Sequence, residues 1–128
     1  MEITALALMS ILFLFAFIPV SAGKLQTYGG RWLASNRNPV PDKEMPRWAQ
    51  RSERAHQNLK DNFPAFVAAI LLLLVLEKTT PTTGYLAMGY VVARVVHYGA
   101  YAKGNVLIRF IAYATGLFIN TYLLVSVL

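Results

Sequence analysis

Four uncharged stretches, residues 3–23, 62–76, 79–93 and 110–128, carry most of the apolar side chains, and every charged residue lies outside them. A helix that crosses a bilayer needs about 20 mainly apolar residues. The blocks at 62–76 and 79–93 fall short alone, so their helices must draw polar neighbours into the membrane zone. Apolar and polar residues do not alternate within the blocks, as the strands of a membrane barrel require. The pattern predicts an all-α integral membrane protein, a four-transmembrane-helix bundle in a single domain over residues 1–128. Its helices are expected over about 3–23, 52–76, 84–101 and 106–128. Pro19 is expected to kink or end the first of them, and Pro64 to bend the second.

The polar run at 51–64 leads straight into the second block. Arg54, Asn58 and Asp61 are spaced i, i+4, i+7 and so share one helix face. Arg94, His97, Tyr98 and Tyr101 repeat that kind of spacing on the third helix, and Arg109, Tyr113, Gly116 and Asn120 share a face of the fourth. Arg94 lies about 15 Å along a helix that begins near Gly84, at 1.5 Å per residue. Ionisable residues at such depth are costly unless they pair or face a cavity, which makes them candidates for function. Arg54 and Arg109, nearer helix ends, could instead snorkel to headgroup phosphates. Asp61 and Arg94 could form an interhelical ion pair. Gly116 could let two helices approach closely.

Charge fixes an expected topology. The formal net charge is +6, and eight of the 12 Lys and Arg lie between residues 24 and 60. Positive charge concentrated in one short loop places that loop in the cytoplasm. This reading accounts for the basic character without a nucleic-acid partner. Both termini and the turn at 77–83 then face outward, and the turn around Lys103 faces inward. The polar ends of helices two, three and four meet at one cytoplasmic level, as a shared site requires. Residues 1–23 are expected to be a retained helix rather than a signal peptide, since the n-region has no Lys or Arg. Trp32 and Trp48 suit the headgroup level. In a bacterium the membrane would be the inner, plasma membrane.

The candidate site holds three Arg against one Asp. An Arg cannot lose its charge, so the surplus calls for anions from elsewhere. Arg also binds carboxylates through a bidentate fork, and Asp61 could hold an ammonium group. A small zwitterion with more than one carboxylate fits. The chain has no cysteine, so any thiol in its chemistry must come from a ligand. Two His without converging carboxylates do not make a metal site. No nucleophile triad or phosphate-binding loop is visible.

Two stretches resemble a known family. The run Arg54-Ala55-His56-Gln57-Asn58-Leu59-Lys60-Asp61-Asn62-Phe63-Pro64 is similar to the second-helix signature of the membrane-associated proteins in eicosanoid and glutathione metabolism, the MAPEG family. The run Ala93-Arg94-Val95-Val96-His97-Tyr98-Gly99-Ala100-Tyr101, followed by Arg109 and Tyr113, resembles its second signature. The resemblance implies a homotrimer that binds glutathione between subunits near the cytoplasmic face. It implies that Arg54, Asn58, Asp61, Arg94, His97 and Tyr101 hold glutathione, that Arg109 stabilises its thiolate as the catalytic residue, and that Tyr113 lines the site. The expected activity is that of a glutathione transferase, or a glutathione peroxidase, acting on a lipophilic electrophile that arrives from the bilayer. The alternative is a non-catalytic membrane protein that binds lipid or glutathione.

The chain departs from the family pattern at several positions. Asp61 stands where Glu is usual, one methylene shorter. Gln57 and Phe110 stand where prostaglandin-isomerising members carry Arg and Ser, which bears against isomerase chemistry. The first-helix arginine of the family has two possible counterparts, Lys24 and Arg31.

Overall fold

A computed structural model describes residues 1–128, and it is helical throughout, with no strand. In chain order the helices are α1 (Glu2–Phe15), α2 (Ile18–Tyr28), the single turn α3 (Gly30–Leu33), α4 (Arg47–Val75), α5 (Pro81–Lys103) and α6 (Val106–Val125).

The apolar run expected as one first helix over 3–23 is broken after Phe15 and extended to Tyr28. Pro19 explains the break. It has no N–H to give the preceding turn and is tolerated only at the start of a helix, and it falls in the first turn of α2. Tyr98 of α5 donates its hydroxyl to the Ala16 carbonyl at the break, at 2.6 Å. The interruption therefore leaves this acceptor satisfied inside the bundle.

The next helix begins at Arg47, five residues earlier than the polar pattern indicated, and stays helical through Pro64. Helix α5 starts at Pro81 rather than Gly84 because Thr80-Pro81-Thr82-Thr83 is a complete start signal. The Thr83 N–H donates to Thr80 Oγ1 at 3.1 Å and the Thr80 N–H to Thr83 Oγ1 at 2.8 Å, a reciprocal capping box. Gly104 ends α5 at φ +82°, a left-handed position that glycine takes without strain. Asn105 then caps α6 by accepting the Ile108 N–H at 3.0 Å.

Packing orders the helices. The α5–α6 hairpin has the most extensive contact, α4 lies against α5, and α1 covers both α4 and α5. Met9, Phe66, Ile70, Leu73, Tyr90 and Leu123 form the interior, with the Phe66 and Tyr90 rings stacked at 4.2 Å. Only 28 of 128 residues are buried. Most of the apolar surface therefore points outward, the arrangement a hydrocarbon solvent favours and water opposes. Three helical stretches, Glu2–Tyr28, Arg47–Val75 and Val106–Val125, are long and apolar enough to cross a membrane.

Contacts also fix which ends meet. Thr83 Oγ1 donates to buried Glu2 Oε1 at 2.6 Å, and Lys78 Nζ donates to the Val127 carbonyl, so both termini share one end with the 76–80 turn. At the opposite end Arg51 Nε reaches the Ala102 carbonyl at 3.0 Å, and Lys24 pairs with Glu53 at 2.8 Å.

Candidate functional site

The second of these ends holds the polar constellation, and Arg94 organises it. With α5 beginning at Pro81, Arg94 lies about 20 Å along the helix at 1.5 Å per residue. It is 1% exposed, the largest side chain fully buried in the protein. Its Nη1 donates to Asn58 Oδ1 at 3.3 Å and its Nη2 to Asn62 Oδ1 at 3.0 Å, both on α4. Its Nε has no partner. The guanidinium lies 4.9 Å from the Tyr90 ring centre and 5.6 Å from that of Tyr113, where ring quadrupoles attract a cation.

Gly116 of α6 makes this position possible. A Cβ there would stand 3.3 Å from Arg94 Nε, so the absent side chain is the space the guanidinium uses. The close approach expected of Gly116 is thus made to a side chain of α5.

Arg94 has no carboxylate partner. The chain forms two ion pairs, the N-terminal ammonium with Glu2 and Lys24 with Glu53. The ion pair between Asp61 and Arg94, open on spacing alone, does not form. Asp61 Oδ1 instead accepts from Gln57 Nε2 at 2.8 Å on the exposed side of α4. A buried, permanent charge is held by neutral amides and aromatic faces.

Beside Arg94 opens a groove of about 230 Å³ lined by Asn58, His97, Tyr101, Arg109, Phe110 and Tyr113. His97 is buried, edge-on to Tyr101 with ring centres 5.6 Å apart and 5.9 Å from Tyr113. Arg109 follows the α6 cap, and its guanidinium stacks over Tyr101 at 4.7 Å. Five of the eight residues expected to form the site therefore line one groove from three helices, and a sixth, Arg94, lies directly behind it.

Arg54 and Asp61 do not line the groove. Arg54 opens with Arg47, Gln50 and Arg51 onto a separate basic hollow at the same end. Spacing alone also gave Asn62 and Tyr90 no role, although both touch Arg94. Asn62 carried a readable signal, a second amide one helical turn after Asn58.

Such a fold and groove define a class: an α-helical membrane protein whose polar site is set among its helices and carries uncompensated arginine. Comparison with the sequence models of protein families places it further. The chain belongs to the MAPEG family, whose model matches residues 1–128, its entire length. Comparison with curated protein sequences found no match.

Proposed function

We propose that the protein is a membrane glutathione transferase, with glutathione peroxidase activity as a second outlet of the same thiolate. The observation that carries this reading is Arg109 lining the groove with Arg94 buried behind it and no carboxylate on either. A burial-competent anion is the missing partner, because neither Arg can discharge itself. Glutathione offers two carboxylates, one ammonium and a thiol, and family membership points to the same molecule. The orphaned Arg94 Nε is a buried donor with capacity left for an acceptor.

In this reading Asn58, Arg94, His97 and Tyr101 orient the peptide, and Tyr113 lines the site. Arg109 holds the sulfur as thiolate. A free thiol has a pKa of about 8.5 and is mostly protonated at neutral pH. An adjacent cation favours the charged form. The thiol proton leaves to water, and the sulfur then attacks an electrophilic carbon of a lipophilic substrate. A C–S bond forms as the leaving group departs with its electron pair. Phe110 is 66% exposed beside Arg109, an apolar surface on which such a substrate can rest. The protein contributes charge stabilisation and proximity, with no covalent enzyme intermediate.

A homotrimer suits the groove. Small-molecule sites typically enclose about 300–1,000 Å³, and this one is smaller and open. A second copy of the chain closing it, in a homotrimer, would complete the wall and bring Arg54 and Asp61 of α4 into reach of a ligand. In the same picture α5 is the fourth span, because its outward side chains Tyr85, Val92, Val95 and Val96 are exposed and apolar. The basic loop between α2 and α4 is cytoplasmic.

The test is turnover of the purified protein in lipid nanodiscs with glutathione and a panel of halonitrobenzenes, epoxides and lipid hydroperoxides. Glutathione-dependent consumption of at least one class is expected. Saturable glutathione binding without consumption of any would leave a binding protein, and no binding at all would remove the proposal.

A further inference from the structure

A second concave site lies on the opposite face of α4, away from the arginine groove. It encloses about 370 Å³ between α2, the loop after α3 and α4. Phe17 just before α2, Val20 of α2 and Leu33 form its apolar wall; Lys24, Arg37, His56 and Lys60 supply basic groups. Glu53 is its one carboxylate, and Lys24 already engages it at 2.8 Å. Arg37 and Lys60 have no acidic partner. Neither belongs to the groove around Arg109.

Chain geometry arranges these groups along the membrane axis. Lys60 lies seven residues beyond Glu53 on α4, about 10 Å deeper toward the apolar part of that helix. There it shares the pocket with Phe17, which is 47% exposed next to an exposed Ile18. Arg37 closes the aqueous side. It is held at φ +58° with its N–H donating to Ser35 Oγ at 3.1 Å and its Nε to the Leu33 carbonyl at 3.2 Å. A side chain other than Gly is uncommon in that conformation. The pocket thus has an apolar wall toward the bilayer and unpaired cations at the depth of headgroups.

We propose that this pocket binds the phosphate of an anionic glycerophospholipid, with Arg37 and Lys60 on the phosphate and the first acyl carbons against Phe17 and Val20. The shared chemistry is a phosphate ester next to an apolar stem. A soluble phosphate ester satisfies the cations but leaves the apolar wall uncovered, so the lipid is the better occupant. Neither Arg37 nor Lys60 is among the residues assigned to glutathione, so the two ligands can be titrated separately.

The experiment is a native mass spectrometry titration of the full chain in detergent, with phosphatidylglycerol, with phosphatidylcholine of the same acyl chains, and with glycerol 3-phosphate. The expected result is one saturable phosphatidylglycerol per chain, bound more tightly than phosphatidylcholine. The double variant Arg37→Gln/Lys60→Gln should bind it about 30-fold more weakly, roughly fivefold per cation removed. The charge-matched control Lys43→Gln/Lys103→Gln should bind as the parent does, and the charge-preserving pair Arg37→Lys/Lys60→Arg should restore most of the affinity. An equal loss in the control would overturn the proposal, since bulk charge alone would then suffice. So would glycerol 3-phosphate competing as well as the lipid, which makes a soluble ester the ligand. A parallel loss of glutathione affinity in the double variant would assign the pocket to the glutathione site and overturn it as well.

Discussion

Replacing Arg94 with Met separates a structural arginine from one kept for a ligand. Met keeps an unbranched stem of about the same course but ends short of the guanidinium nitrogens, so a modest cavity is left behind. On the unfavourable side, Asn62 Oδ1 loses a donor at 3.0 Å and Asn58 Oδ1 a weaker one at 3.3 Å. A buried acceptor left without a donor costs about 1–3 kcal/mol. On the favourable side, a guanidinium that is 1% exposed and lacks any carboxylate no longer has to be desolvated. That penalty is several kcal/mol per ion, and exchanging buried charge for a hydrophobe is often neutral or stabilising. The two nearly cancel, so the thermal midpoint in glutathione-free detergent should stay within a few degrees of the parent. Glutathione affinity should fall by about 10–150-fold, the equivalent of the roughly 1.5–3 kcal/mol carried by a hydrogen bond to a charged group. Differential scanning fluorimetry and calorimetry on the same preparations read both quantities. A collapse of the midpoint with glutathione affinity retained would refute the reasoning and make Arg94 an interhelical cross-link.

Other perturbations test separate parts of the account. Gly116→Ala sets a Cβ 3.3 Å from Arg94 Nε and should cost about 1 kcal/mol, toward the low end for overpacking, while raising KM for glutathione more than it lowers kcat. Thr83→Val removes the hydroxyl that accepts the Thr80 N–H and donates to buried Glu2, while the Thr83 N–H keeps its bond to Thr80 Oγ1. It should cost about 2–3 kcal/mol, a cap together with a hydrogen bond to a charged group, and leave kcat/KM unchanged in the folded fraction because it lies at the far end of the bundle. Mass measurement in nanodiscs should return three copies, and a monomer would remove the intersubunit site. Reporter fusions at Leu128 should score outside the cytoplasm, and a cytoplasmic score would reverse the orientation.

Much of this was legible in the chain itself. Uncharged blocks and helical spacing located the long helices and collected Asn58, Arg94, His97, Tyr101, Arg109 and Tyr113 in one region, because a 3.6-residue period determines which side chains share a face. Local chemistry moved the boundaries. Thr80-Pro81 starts α5 three residues before Gly84, and Pro19, expected to kink or end the first helix, divides it and opens a second part that runs on to Tyr28. The partner of Arg94 was not legible. Charge complementarity left Asp61 open as one partner, but register and side-chain reach brought the amides of Asn58 and Asn62 to the guanidinium and left Asp61 with Gln57. Spacing gives the face of a helix; it does not give the rotation that decides which of two neighbouring residues on that face meets the next helix. For the same reason Arg54, on the face of Asn58, opens onto a different hollow.

The central claim is that Arg109 holds glutathione as a thiolate. Ultraviolet difference spectroscopy measures it directly, by the thiolate band that appears when glutathione is added to the protein in nanodiscs at neutral pH. The parent should show the band. Arg109→Ala should lose most of it, because removing an adjacent cation raises the thiol pKa by about one to three pH units toward its free value of about 8.5, where only a few per cent of the thiol is ionised at neutral pH. Glutathione affinity by calorimetry should stay within about fivefold of the parent, since the carboxylate contacts remain. A variant that keeps the full thiolate band together with full turnover would show that Arg109 only stacks on Tyr101, and would contradict the mechanism.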